Sequence, residues 1–280
     1  MANGKVLESS SSGMPKSEVI AATEEPGVTT DNNYIAALAR GLAVMRSFAG
    51  QRNQMTMAEI AKLVGLPRAT VRRCLITLSS LGYIDTNGKY YRLTPQVLTL
   101  SQAYFSSNPL PRVAQPYIEQ VSEAVGESCS VSVLTGDEVI YVARSTRKRA
   151  ASVHRDVGQN LPAFCTSMGR VLLANLEEAE LDRYFKRVTL KKFTHETVAD
   201  EATLRGILEL VRRREFCLID GELEHNLRSI AVPVRNSVGK VIAAAHISTE
   251  ADRSPKEKVR NEFLPVLRMA VSRMRPLLIG

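Results

Sequence analysis

The sequence predicts an α+β protein: an N-terminal winged helix-turn-helix, a linker helix, and a larger C-terminal domain around a central antiparallel sheet. Three observations predict it. Two helical apolar patterns, near residues 57–64 and 67–80, are separated by a turn containing Gly65. An Asn-Gly hairpin signal, Asn87-Gly88, follows directly. Beyond residue 111, helical and alternating apolar patterns are mixed, as in a sheet with helices packed on it. The chain of 280 residues has ample length for both cores. The expected division is a disordered leader at 1–31, a first domain at 32–94, a linker helix at 95–110 and a second domain at 111–280.

The first domain opens at 34–48, where Ile35, Leu38, Leu42, Met45 and Phe48 recur at helical spacing. "QRNQ" breaks the pattern. Thr56 with Glu59 three residues on forms a capping box for "MAEIAKLV". Gly65 closes that helix, and Pro67 fits the first turn of the next. There Val71, Leu75 and Leu78 form one stripe. At roughly 100° per residue, Ala69, Arg72 and Arg73 point away from it. Thr70 lies on the flank and Arg68 in the first turn. A hairpin over 81–93 completes the domain as a wing.

Charge singles out the same segment. The formal net charge is +8. Residues 31–106 hold nine Lys and Arg against three Asp and Glu, whereas residues 1–30 hold two lysines against four glutamates. Concentrated positive charge attracts a polyanion. On a helix seated by its apolar stripe, Arg68, Thr70, Arg72 and Arg73 form a surface for base edges and phosphates, and Ala69 permits close approach. Lys89 and Arg92 place the wing against backbone phosphate or a minor groove. Double-stranded DNA is the expected partner.

Other classes are excluded or weakened by composition. No run of 18 apolar residues exists, the N-terminus lacks an apolar signal core, and the mean hydropathy is −0.09. Cys74, Cys129, Cys165 and Cys217 are scattered without a CxxC, which points to reduced thiols in a cytoplasm and to no metal site. HExxH, GxGxxG and GxxxxGK[ST] are absent, and no cofactor is implied. The one rival enzymatic reading is a nucleophilic Cys165 beside Thr166 and Ser167, for which spacing assigns no acid-base partner.

Residues 95–106 read as a helix opened by Pro95 and ended by "SNPLP", with Val97, Leu100 and Tyr104 on one face. That face serves either a second copy of the chain or the first domain itself. A helix ending near Gly126 follows. Next comes a hairpin with Cys129, Val131 and Val133 on one face and a turn at Gly136-Asp137. "TSMGRVLLANL" and "DEATLRGILELVRRREF" read as helices. "SIAVPVRNSVGKVIAAAHIST" is a second hairpin turning at Asn236 to Gly239, and the segment from Ser254 is a closing helix.

The segments "MAEIAKLVGLPRATVRRCLITLSSLGYI", "GQNLPAFCTSMGRVLLANL" and "CLIDGELEHNLRSIAVPVRNSVGKVIAAAHIS" resemble the isocitrate lyase regulator (IclR) family of bacterial transcription factors over about residues 34–278. The wording of the second is most similar to the branch regulating β-ketoadipate pathway genes for aromatic catabolism. The resemblance implies a GAF-like effector-binding domain, a homodimer or a tetramer of two dimers, a palindromic operator and action on RNA polymerase. It also implies a small organic acid effector of the β-ketoadipate, protocatechuate or 4-hydroxybenzoate type. Carried across by position, the effector pocket comprises Val153, Leu161, Ser167, Met168, Asp220, Leu227, Ser229, His246 and Ser248. Spacing adds that His246 and Ser248, two apart on one strand, share a face. Hydroxyls and N–H groups at the start of the "TSMGR" helix suit a carboxylate. The candidate cations are His154, Arg155, Arg228 and above all His246, since an arginine at a strand end is usually solvated. Many relatives have Gly where this chain has Asn226, a residue that tolerates a left-handed turn less readily than Gly. The alternatives are a regulator of a different carbon pathway and a DNA-binding architectural protein without a ligand.

Overall fold

The computed structural model describes residues 33–49, 53–145 and 156–279. The expected leader at 1–31 and the positions Val153, His154 and Arg155 lie outside these residues. The chain divides into two compact units, residues 1–102 and 103–280.

In the first unit, α1 (Ala36–Arg46), α2 (Met57–Val64) and α3 (Arg68–Ser80) pack around Val44, Ile60, Val71 and Leu75. The capping box forms. The Glu59 N–H donates to the Thr56 hydroxyl, and the Glu59 carboxylate accepts the Thr56 N–H at 2.8 Å. Gly65 ends α2 at φ 66, a left-handed cap that costs glycine least. Pro67 stands just before α3, at the N-cap rather than inside the first turn. The wing is β2 (Ile84–Thr86) and β3 (Tyr90–Leu93). A strand absent from the sequence reading, β1 (Met55–Thr56), pairs with β3 as the outer member of a β1-β3-β2 sheet.

The first helix corrects its expected face. Val44 and Phe48 are buried, while Ile35, Leu38 and Leu42 are 66%, 60% and 48% exposed. Only the C-terminal half of α1 meets the core, so periodicity found the apolar side but not what covers it. The linker begins with a 3₁₀ turn at Pro95–Val97 and continues as α4 (Leu98–Ser107). No residue of α4 is buried, and Leu98, Leu100, Tyr104 and Phe105 are exposed. "SNPLP" ends α4 but also starts the next helix. The Asn108 side chain accepts the Leu110 N–H and caps α5 (Pro109–Val125).

The second unit is built on a six-stranded antiparallel sheet ordered β6-β5-β4-β9-β8-β7. Its strands are β4 (Ser128–Thr135), β5 (Glu138–Ser145), β6 (Asn160–Pro162), β7 (Cys217–Asp220), β8 (Leu227–Arg235) and β9 (Val241–Glu250). One face packs on α5 and the closing segment, through Ala114, Ile118, Val131, Ile247 and Leu267. That segment runs as α9 (Lys256–Lys258), a π turn (Val259–Phe263) and α10 (Leu264–Met274). The other face packs on α6 (Ser167–Leu173), α7 (Glu178–Arg187) and α8 (Glu201–Arg214), through Tyr141, Phe164, Leu173, Tyr184 and Leu204. Three elements, α7, β6 and β7, have no counterpart among those the sequence predicts. Helix α7 buries only Leu181, Tyr184 and Phe185, and the two edge strands span three and four residues. Among the described residues, no helix is long and apolar enough to cross a membrane.

Candidate DNA interface and effector pocket

In α3 the stripe Val71, Leu75 and Leu78 is buried. Arg68, Ala69, Arg72 and Arg73 are exposed, and Thr70 is half-buried. No side chain caps the start of α3, which leaves its first N–H groups available to an anion. In the wing, Gly88 takes φ 91 at the turn. Lys89 holds its ammonium 5.2 Å from the Tyr90 ring centroid. The Arg92 guanidinium donates to Asp85 through Nε at 3.0 Å, so part of its charge is neutralised on the wing itself. That hydrogen bond in turn holds the Asp85 carboxyl below its ordinary value. Lys89 therefore offers the freer charge of the two.

The pocket lies on the α6 side of the large sheet. It is lined by Tyr141, Cys165, Thr166, Met168, Ile219, Leu223, Leu227, Ser229, His246 and Ser248. Strand register accounts for its polarity. Ser128 stands opposite Ser248, which stands opposite Ser229, so three hydroxyls form a row across β4, β9 and β8. In the adjacent row Ser130 stands between Arg144 on β5 and His246 on β9. Residues directly opposite share a face. An apolar sheet face under helices would bury more surface, and these polar rows interrupt it where the cavity lies.

The carried-over positions fare differently. Met168, Leu227, Ser229, His246 and Ser248 gather around the cavity. Ser167, the first residue of α6, is buried next to it, and its hydroxyl has no hydrogen-bond partner among the described residues. Leu161 pairs with Val139 and packs against the core on that face rather than lining the cavity. Asp220 is a correction. On β7 its neighbour Ile219 enters the pocket, so alternation turns Asp220 to the opposite face. There it accepts two hydrogen bonds from Arg228, at 3.0 and 2.9 Å, and pairs with Lys256 at 3.0 Å. Burial opposes the charge, but these partners hold the Asp220 carboxyl below its usual value. Arg228 is likewise not a solvated strand-end cation. It is buried, faces away from the pocket, and also donates to the Ala251 carbonyl.

Sequence reasoning also missed the device that joins the pocket walls. Arg170 on α6, 3% exposed, donates to Glu222 at 2.7 and 2.6 Å and to the Phe164 carbonyl at 2.7 Å. Glu222 also accepts the Val198 N–H, and its carbonyl accepts the Thr197 hydroxyl at 2.6 Å. One wall carries Cys165, Thr166 and Met168, and the other carries Ile219, Leu223 and Leu227. The ion pair fixes one against the other. Asn226, where many relatives have Gly, adopts φ 59 and tethers the same loop, accepting the Asp252 N–H.

Among the described residues, no three His, Cys, Asp or Glu side chains are placed to hold a metal ion. None of the four cysteines forms a disulfide. Burial raises the Cys129 thiol and pushes the Cys217 thiol up to about 12, which keeps both protonated and unreactive.

A winged helix-turn-helix joined through α4 to a domain with a polar cavity defines a ligand-responsive DNA-binding regulator. The chain belongs to the IclR family of bacterial transcriptional regulators: residues 37–88 match the IclR helix-turn-helix domain, and residues 102–275 match the bacterial transcriptional regulator IclR C-terminal domain. It is a regulator and not an enzyme, as are its relatives. One of them is the Pca regulon regulatory protein of Pseudomonas putida. It is 44% identical over 246 residues, covering 88% of this chain and 84% of that one. Another is the p-hydroxybenzoate hydroxylase transcriptional activator of Acinetobacter baylyi, 36% identical over 250 residues, with 88% and 92% covered. A solved structure of an Acinetobacter PobR double mutant, its inducer-binding domain in complex with 3-hydroxybenzoic acid, is 33% identical with a TM-score of 0.57. It matches 60% of this chain and 98% of that one.

Proposed function

We propose that this regulator controls genes of aromatic catabolism by binding a palindromic operator as a homodimer, or as a tetramer of two dimers. Its signal is a small aromatic or dicarboxylic acid bound in the effector pocket. The carrying observation is the pair of polar rows that cross an otherwise apolar sheet face at the cavity. Hydroxyls and an imidazole can satisfy a buried carboxylate, and a buried charge without such partners is costly. The names of the relatives from Pseudomonas and Acinetobacter support the catabolic assignment. The protein works in the cytoplasm, where operator and RNA polymerase are met. The exposed apolar residues of α1 and α4 support self-association, since no described residue buries them.

In a dimer, two α3 helices enter successive major grooves roughly 34 Å apart. The acid shifts the equilibrium between two arrangements of the dimer only by its difference in affinity for them. Two measurements test the reading. Arg72→Ala and Arg73→Ala are each expected to weaken operator binding by about 1–3 kcal/mol if they reach bases, or to lower its salt dependence if they reach phosphates. Operator affinity unchanged in both variants, at every salt concentration, would remove α3 as the reading helix. Calorimetry with 4-hydroxybenzoate, protocatechuate and β-ketoadipate is expected to show stoichiometric binding of at least one, released chemically unchanged. Binding of none would leave a regulator of a different carbon pathway.

A further inference from the structure

Resting on the reading that α3 enters the major groove, we propose that Ile76 reads a thymine of the operator by packing on its C5-methyl group. The helix then carries an apolar reader beside its arginines and sets a base preference about one turn beyond them.

The position of Ile76 carries the inference. At roughly 100° per residue, Ala69, Arg73 and Ile76 fall within about 60° of one another, on the side of α3 opposite the buried Val71, Leu75 and Leu78. Arg72 flanks the same line. Ile76 is 53% exposed, and Ala69, Arg72 and Arg73 are exposed with it. A single exposed aliphatic residue is ordinary on a protein surface. This one stands on the face that the arginines mark for contact with DNA, where a groove-facing side chain loses its water.

The hydroxyls nearest to it are engaged elsewhere. Thr77 donates to the Arg73 carbonyl at 3.0 Å, and Ser80 donates to the Thr77 carbonyl at 2.9 Å. Both are bonded to the helix's own backbone, so Ile76 is the large group that this turn presents. Being β-branched, it holds essentially one χ1 rotamer in a helix. It therefore meets the DNA already positioned, with little rotamer freedom to lose.

The chemistry of the groove names the target. Base edges in the major groove present hydrogen-bond donors and acceptors and one apolar group, the C5-methyl of thymine. Isoleucine cannot satisfy a donor or an acceptor, and covering one leaves it without a partner. Against the methyl it buries hydrocarbon at no such cost. One turn of α3 rises about 5.4 Å, against about 3.4 Å per base pair, so the thymine lies one or two base pairs from the groups that Arg72 and Arg73 meet.

The test uses duplexes enriched from a random pool by the full chain. Each thymine is replaced in turn by deoxyuridine, which removes the C5-methyl and keeps every hydrogen-bonding group. The wild type is expected to lose roughly 4-fold in affinity at one thymine of each half-site, the worth of one buried methyl-sized group, and roughly 15-fold with both replaced. Ile76→Ala is expected to bind the unsubstituted duplex more weakly and to show no deoxyuridine penalty at that position. Thermal unfolding like that of wild type establishes that the variant is folded. Deoxyuridine penalties that are equal in wild type and Ile76→Ala, or absent from both, overturn the role of Ile76. If Arg72→Ala or Arg73→Ala still weakens binding, α3 remains the reading helix. Operator affinity unchanged in both arginine variants overturns α3 and Ile76 together.

Discussion

Arg170→Met is expected to destabilise the C-terminal domain by about 3–5 kcal/mol, the usual cost of removing one member of a buried ion pair. Two hydrogen bonds tie Arg170 to Glu222, whose side chain is 10% exposed. Without the arginine, the carboxylate keeps the Val198 N–H but loses its counter-charge in a site closed to water. The Phe164 carbonyl loses its Nε–H donor as well. The double substitution Arg170→Met with Glu222→Leu is expected to recover most of that loss, because well-packed apolar replacements of buried ion pairs are often neutral or stabilising. Effector affinity should not recover with it, since the pair aligns two walls of the pocket. Urea denaturation of the full chain and calorimetry of the three proteins check both statements. A single substitution costing less than about 1 kcal/mol would mean that water reaches the pair and that it joins nothing.

Gly169→Ala is expected to be comparably severe. A Cβ at this position would stand 2.1 Å from the Ala163 carbonyl oxygen and 2.4 Å from the Ala163 Cα. Both are backbone atoms, so no change of rotamer relieves the clash. Either α6 moves outward or the turn ahead of it does, and that turn carries Cys165 and Thr166 into the pocket. Overpacking costs about 1–3 kcal/mol where the core adjusts, and a contact against backbone belongs at or above the top of that range. The expected results are a clearly lower unfolding temperature and weakened effector binding, with operator affinity of the folded protein retained. A variant as stable as wild type would mean that α6 does not approach the turn this closely.

The legible parts of the fold are those whose cause lies within a few residues. The Thr56–Glu59 capping box, the left-handed Gly65 and the Val71, Leu75 and Leu78 stripe are all local, and each stands where its spacing puts it. The Asn236–Gly239 turn between β8 and β9 is equally local. Local signals fail where the covering surface is remote. The apolar side of α1 is genuine, but Ile35, Leu38 and Leu42 remain exposed because the core of the unit reaches only Val44 and Phe48. Short edge strands such as β6 and β7 carry too few residues for a period of two to register.

The pocket divides in the same way. Met168, Leu227, Ser229, His246 and Ser248 were reached through the family resemblance, and they gather at one cavity. Asp220 was reached through the same resemblance and stands on the other face, where alternation next to Ile219 puts it. Tyr141, Ile219 and Leu223 were overlooked because a tyrosine and two aliphatic residues in amphipathic segments read as ordinary core.

By itself the sequence determined the two-domain plan, the positive face of α3 and the family, because helical period, caps, turns and charge density are properties of neighbouring residues. Tertiary structure alone decided that Arg170 meets Glu222, 52 residues away, and that a one-residue register shift between β4 and β5 sets Arg144 opposite Ser130, which also stands opposite His246. Such pairings depend on strand register and helix approach, which are set when distant segments pack and have no signature in the spacing of either segment.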